Sequence, residues 1–245
     1  MNIINPYRFA PAGVAFDGFG NASRSFDGTN DYINLGDSDD FSFGNASTDS
    51  PFSVSAWVKM TDATNFRIVS RAGISYEWLL NIAGNDKLYW ALYDNNGSNY
   101  RGLTSTATLT TYEGSWIHIA ATYDGSGGTN AQDGMMMYLT EFGGSTSALS
   151  TVDFTGGTYV AMHNLSGITE IGRFTSNYAD GNIADVRLYN KELTSVEVQN
   201  IADGTHVTDS LVGWWLDDDD DVLDNAGTND GTNNGSTYST DGPAD

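Results

Sequence analysis

The 245-residue chain has no cysteine, which excludes disulfides and thiolate-bound zinc or iron–sulfur centres. Its fold must rest on packing, aided at most by a hard metal ion. Lysine is nearly as scarce, confined to positions 59, 87 and 191. Ten Lys and Arg stand against 32 Asp and Glu, for a net charge of -22. Nothing here forms a basic track along phosphates, so nucleic acid is not an expected partner. Such a charge suits a saline milieu, where the Debye length falls to about 8 Å or less, or one with divalent cations. Long apolar runs are missing too: no stretch of about 18 apolar residues occurs, and no membrane span is expected. The opening "MNIINPYRFAPAG" lacks the basic start and the apolar run of a secretory signal, so none is expected. The glutamates at 77, 113, 141, 170, 192 and 197 are isolated, and the histidines at 118, 163 and 206 show no metal spacing. No nucleophile elbow or phosphate loop is present either. Catalysis has little support.

What is present is alternation. Short runs of period two are separated by Gly, Asn, Asp and Ser: "DYINLG" from Asp31, "FSVSAWVKM" from Phe52, "FRIVSRA" from Phe66, "YEWLLNIAG" from Tyr76 and "KLYWALYD" from Lys87. "SWIHIAATYDG" from Ser115, "GMMMYLTEFGG" from Gly134, "NIADVRLYN" from Asn182 and "LVGWWL" from Leu211 continue the pattern. This is the signature of an all-β sandwich or barrel, and a chain of this length can bury roughly 70% of its unfolded surface in one core. In the run from Phe52, residues Phe52, Val54, Ala56 and Val58 share one face, with Ser53, Ser55, Trp57 and Lys59 on the other. After Lys191 the alternation stops. Thr194 as N-cap, Glu197 three residues on, and Leu193 placed to staple onto Val198 predict a short helix over Thr194 to Ala202, covering an end of the sandwich.

Four of these segments, "SRSFDGTNDYINLGD" from Ser23, "FSVSAWVKM", "SWIHIAATYDG" and "YADGNIADVRLYNKELTSVEVQNI" from Tyr178, resemble in order and spacing the successive strands of laminin G-like domains. These belong to the concanavalin A-like jelly-roll superfamily, which includes the pentraxins; the resemblance runs from Ala22 to Asp203. It implies a two-sheet antiparallel jelly roll with one short helix. It departs from the family at "MMMYLTEFGGS", where relatives carry an Asn-Gly turn. "LVGWWLDDDDDVLDNAG" is similar to an amino-terminal strand of bacterial relatives but follows the helix, as the closing strand does in pentraxins. The tail is therefore expected to return to the same sheet with Trp214 or Trp215 buried, giving an extension over 1–21 and one domain over 22–245. The Asp217–Asp221 run reads as a solvated loop or a cation site.

A glucanase of the superfamily carries a closely spaced Glu-x-Asp-x-x-Glu, and this chain has none, so the resemblance implies no enzyme. Bacterial relatives place turn or metal-binding aspartates where this chain has Asp27 and Asp31 in "FDGTND" and Asp180 in "YADGN". Structural calcium held by Asp27 and Asp180 is one expectation; Asx-turns are the other. The pentraxin double-calcium loop does not carry over, because Arg173 to Asn177 stand in its place. For sugar binding, which wants an aromatic platform beside polar groups, the candidates are Trp78, Trp90, Tyr100 with Arg101, and Tyr178. Two roles compete. "NIINPYRFAP" resembles the amino ends of some tailed-phage particle proteins, which implies a virion surface component, a capsid decoration or fibre, touching other virion proteins or copies of itself and a cell-surface glycan. The alternative is a secreted or cell-surface carbohydrate- or matrix-binding module.

Overall fold

The computed structural model describes residues 22–73, 76–95, 97–215 and 221–243. The expected extension over 1–21, Leu216 and residues 217–220 of the aspartate run lie outside these. In chain order the strands are β1 (Ser23–Asp27), β2 (Tyr32–Asn34), β3 (Phe52–Met60), β4 (Arg67–Gly73), β5 (Trp78–Ile82), β6 (Leu88–Tyr93), β7 (Tyr100–Ser105), β8 (Ile117–Tyr123) and β9 (Met135–Glu141). There follow β10 (Ser147–Ala148), β11 (Thr151–Gly156), β12 (Gly167–Ile171), β13 (Arg173–Phe174), β14 (Asn177–Tyr178) and β15 (Asp180–Tyr189), then helix α1 (Ser195–Ala202), β16 (Leu211–Trp215), β17 (Thr232–Asn234) and β18 (Thr237–Ser239).

Two antiparallel sheets form the sandwich. The first runs β10-β9-β8-β3-β15-β1-β18 with β16 also on β15, and the second runs β11-β7-β6-β5-β4-β12-β2-β17. The inner faces come from the alternation in the sequence: Phe52, Val54, Ala56 and Val58 of β3 meet Trp78, Leu80, Ile82, Leu88, Trp90 and Leu92 of β5 and β6 in one apolar core. Phe43 stacks on Phe52 at 4.2 Å, and Phe52 touches Trp78 and Trp90. Fully burying such a side chain stabilises the fold by roughly 1.5–3 kcal/mol.

The tail returns as expected. Trp215 pairs with Val186 of β15 and lies wholly in the core, edge-on to Phe41, while β17 joins β2 and β18 joins β1. The departure at "MMMYLTEFGGS" is a hairpin from β9 to β10. In its turn Gly143 takes φ +68 and the Gly144 N–H donates to the Glu141 carbonyl.

The helix forms where its signals predict. Thr194 accepts from the Glu197 N–H, and the Glu197 carboxylate accepts from the Thr194 N–H. Its placement differs from the expectation: it lies on the outer face of the first sheet, not across an end. The reason is that this face is apolar under it, with Ala120, Tyr138 and Tyr189 meeting Leu193, Val198 and Ile201. Trp57 and Trp116 meet Ala184 and Ala202 in the same way. Ser53 Oγ donates to the Lys191 carbonyl and accepts from the Leu193 N–H, tying the approach to the helix onto β3. Beside it, at a bulge where Asp185 takes φ +50, Arg187 pairs through two bonds with Asp185, which also accepts from the Trp214 indole.

Candidate functional site

Among the described residues, none forms such a cover over the outer face of the second sheet. Its chemistry follows from parity: Leu88, Trp90 and Leu92 point inward, so Tyr89, Ala91 and Tyr93 point out, and likewise Asn81 on β5 and Tyr100, Gly102 and Thr104 on β7. The outward rings join into one layer. Phe174 lies 5.5 Å from Tyr76, Tyr76 5.6 Å from Tyr93, Tyr93 5.8 Å from Tyr100, Tyr100 5.5 Å from Phe154, and Phe154 5.1 Å from Tyr89. All six rings are half-buried, each keeping part of its surface in solvent. Two glycines let them lie flat on the strands. A Cβ on Gly102 would fall within 2.4 Å of the Phe154 ring, and one on Gly156 within 2.3 Å of the Tyr100 ring.

A polar row closes the layer on one side. Arg67, Asn81, Tyr89 and Thr104 are register partners across β4, β5, β6 and β7. Asn81 is 5% and Thr104 8% exposed, yet Asn81 Oδ1 and Thr104 Oγ1 have no hydrogen-bond partner. Unmet buried acceptors are costly, on the order of 1–3 kcal/mol each. Arg67 lies 5.8 Å from the Phe174 ring and donates to Asn65 Oδ1 at 3.0 Å; burial pushes its guanidinium down to about 10. Burial, with Tyr100 and Tyr76 close by, pushes the Tyr93 hydroxyl up to about 12, so it stays a neutral donor at physiological pH. Rings, hydroxyls and an amide on one surface form an amphipathic platform, apolar toward C–H faces and polar toward O–H groups.

At one end of this platform, where Asn65 meets Arg67, opens a cleft of about 310 Å³ lined by Asp27, Asp62, Asn65, Asn177, Tyr178 and Asp180, among others. Asp27 and Asp180 are register partners across β1 and β15. Asp27 Oδ1 accepts from the Thr29 and Asn30 N–H groups, and the Asp62 carboxylate from the Thr64 N–H. These backbone bonds hold both carboxyls below the usual range, so neither is poised as a general acid. Among the described residues no three acidic or imidazole side chains come together to hold a metal ion. The Asx-turn expectation for Asp27 is met. A calcium ion, which wants six to eight oxygens, would have to draw mainly on backbone carbonyls here, and the side chains alone do not fit it.

The residues expected to bind ligand are thus scattered. Tyr100 sits in the aromatic layer and Tyr178 in the cleft. Trp78 and Trp90 do not face solvent at all: both are fully buried on the inner face, their indole N–H groups donating to the Phe41 and Thr122 carbonyls. Arg101 is also inward, spent on the carbonyls of Tyr100, Thr129 and Gly156. The sequence expectation missed Tyr76, Tyr89, Tyr93, Phe154 and Phe174. The signal for Tyr89 and Tyr93 was present, since in "KLYWALYD" the tryptophan shares its face with two leucines and the tyrosines do not. His118, one of the histidines without metal spacing, is fully buried against Trp57.

Residues 27–199 match the laminin G family described as the concanavalin A-like lectin/glucanases superfamily, and the chain belongs to that family. No curated protein matches the sequence. Among solved structures, a candidate carbohydrate-binding protein from Bacteroides ovatus is similar at 19% identity and a TM-score of 0.56, over 89% of this chain and 59% of that one. This chain therefore spans under two thirds of that relative. A heptameric pentraxin from Limulus polyphemus is similar at 16% identity and a TM-score of 0.46, over 75% and 82% of the two chains. A tailspike protein of bacteriophage CBA120 gives 13% identity and a TM-score of 0.44, over 83% and 34%. The first of these likenesses speaks to fold alone. No helix among the described residues is long and apolar enough to cross a membrane.

Proposed function

We propose that this domain is a non-catalytic carbohydrate-binding module whose ligand lies on the outer face of the second sheet. The observation that carries the reading is the layer of six rings edged by the unmet acceptors of Asn81 and Thr104. Sugar rings present C–H faces to aromatic side chains and hydroxyls to polar ones, and this surface offers both. The layer contains no acidic pair for a glycosidase, which supports binding without turnover. The family and its similar carbohydrate-binding candidate from Bacteroides ovatus point the same way. This reading takes precedence over a virion role resting on contacts with other particle proteins or copies of itself. Display outside the cell, on a particle or a cell surface, is where such a module works. Affinity electrophoresis through gels containing mixed-linkage glucan, arabinan, xyloglucan or galactomannan tests the proposal. Retardation in at least one gel, lost in Tyr93→Ala and Tyr100→Ala, is the expected result; migration unchanged in every gel would overturn it.

A further inference from the structure

We infer that the platform selects uncharged polysaccharide chains and turns away acidic ones, and that the carboxylates of Asp27, Asp62 and Asp180 at its end make the choice. This inference rests on the carbohydrate-binding reading and adds the class of chain. The cleft adjoins the platform: Asn65 lines the cleft and accepts from Arg67, and Arg67 lies over Phe174, the end ring of the layer. A chain lying along the rings toward Phe174 therefore runs up against the three aspartates. Asp86 adds a fourth carboxylate nearby, accepting from Thr64 Oγ1 beside the same cleft.

The cations that would pair with a uronate or sulfate are engaged or withdrawn from solvent. Arg67 donates to Asn65 and to the Ile82 carbonyl and, though its Nε has no partner, is only 6% exposed, and Arg101 is bound to backbone carbonyls. Arg173 grips both oxygens of Glu170 and stacks 3.6 Å over the Tyr32 ring. Lys87, next in line beyond Tyr89, is a single amine flanked by Asp86. An acidic sugar thus gains no strong ion pair and meets several like charges, on a chain whose net charge is already -22. A second copy of this chain is disfavoured on the face for the same reason, whereas a neutral glycan is indifferent to the field. Discrimination of this origin has a signature. Like-charge repulsion acts over about 30 Å at 0.01 M salt but only about 3 Å at 1 M, so the bias must shrink as salt rises.

The test is a retardation panel pairing neutral mixed-linkage glucan, arabinan, xyloglucan and galactomannan with polygalacturonate, alginate and hyaluronan, at 10 mM and 500 mM NaCl. It uses the full chain and the Asp62→Asn/Asp180→Asn double variant. The expected result is neutral binding that ignores salt, and binding to any acidic chain at least tenfold weaker at 10 mM NaCl, with the gap narrowing at 500 mM and in the double variant. Acidic and neutral chains bound equally at 10 mM, or acidic chains preferred, would overturn the inference and leave the carbohydrate reading intact. A gap that responds to neither salt nor the double variant would also overturn it, by removing the aspartates from the choice. Failure to bind any polysaccharide would sink the carbohydrate reading itself.

Discussion

The two sheets start from the same alternation and treat their outer faces in opposite ways. On the first sheet the outward residues of β3 and β8, among them Ser53, Ser55, Trp57 and His118, are fully buried, because α1 and the segment leading to it close over them. On the second, the outward tyrosines of β6 and β7 remain half in solvent, with no element above them among the described residues. Large aromatics occur on both faces. Cover decides their role: Trp57 under the helix is a structural residue, and Tyr93 and Tyr100 are left available to a ligand.

Several substitutions break or sharpen this contrast. The largest effect is expected at Trp57→Ala, which empties a fully buried site and should cost about 3–5 kcal/mol, read as a lowered denaturant midpoint. Next comes pH. Burial, with Arg187 adding to it, pushes His118 down to about 3 from 6.5. The unfolded chain then takes up a proton below about pH 6.5 that the folded chain refuses. Stability should therefore fall as pH drops from 6.5 toward 3, by at most roughly 1.4 kcal/mol per unit from this group, and His118→Leu should flatten that slope in urea titrations. Removing the helix cap with Thr194→Ala should cost about 1 kcal/mol, enough to loosen the cover without unfolding the sheet beneath. Tyr93→Ala and Tyr100→Ala on the open face should cost about 1 kcal/mol or less each in stability while abolishing retention by polysaccharide, a separation that no residue under the helix should show. The smallest shift concerns calcium at Asp27 and Asp180. Millimolar calcium is expected to raise the melting point little; a gain near the roughly 2.7 kcal/mol of a saturated site, lost in Asp27→Asn, would instead place the ion in the cleft.

The fold was legible because its signals are local. Alternation named the strands, Thr194 and Glu197 named the helix, and the order of four segments named the family. The face on which the helix lands was not legible, since it depends on Ala120, Tyr138 and Tyr189 coming together from three strands. The site was legible only in pieces. Of the rings only Tyr100 was picked out, and Asp27 with Asp180 were picked out for calcium; Phe154 reaches the layer from the edge strand β11, and Phe174 from the separate β13–β14 hairpin, brought in by packing on Tyr76 and Arg67. Trp78 and Trp90 misled because tryptophan is a common sugar platform, while the face that each occupies was written in its neighbours.

The central claim is that the uncovered face of the second sheet holds glycan. Backbone amide shift mapping by NMR, with a neutral hexasaccharide cut from the polysaccharide that retards the protein most, tests it most directly. Perturbations should concentrate on the amides of β5, β6, β7 and β11 and fade over β3, β8 and α1. The strongest shifts on the helix-covered sheet, with those four strands unmoved, would contradict the account.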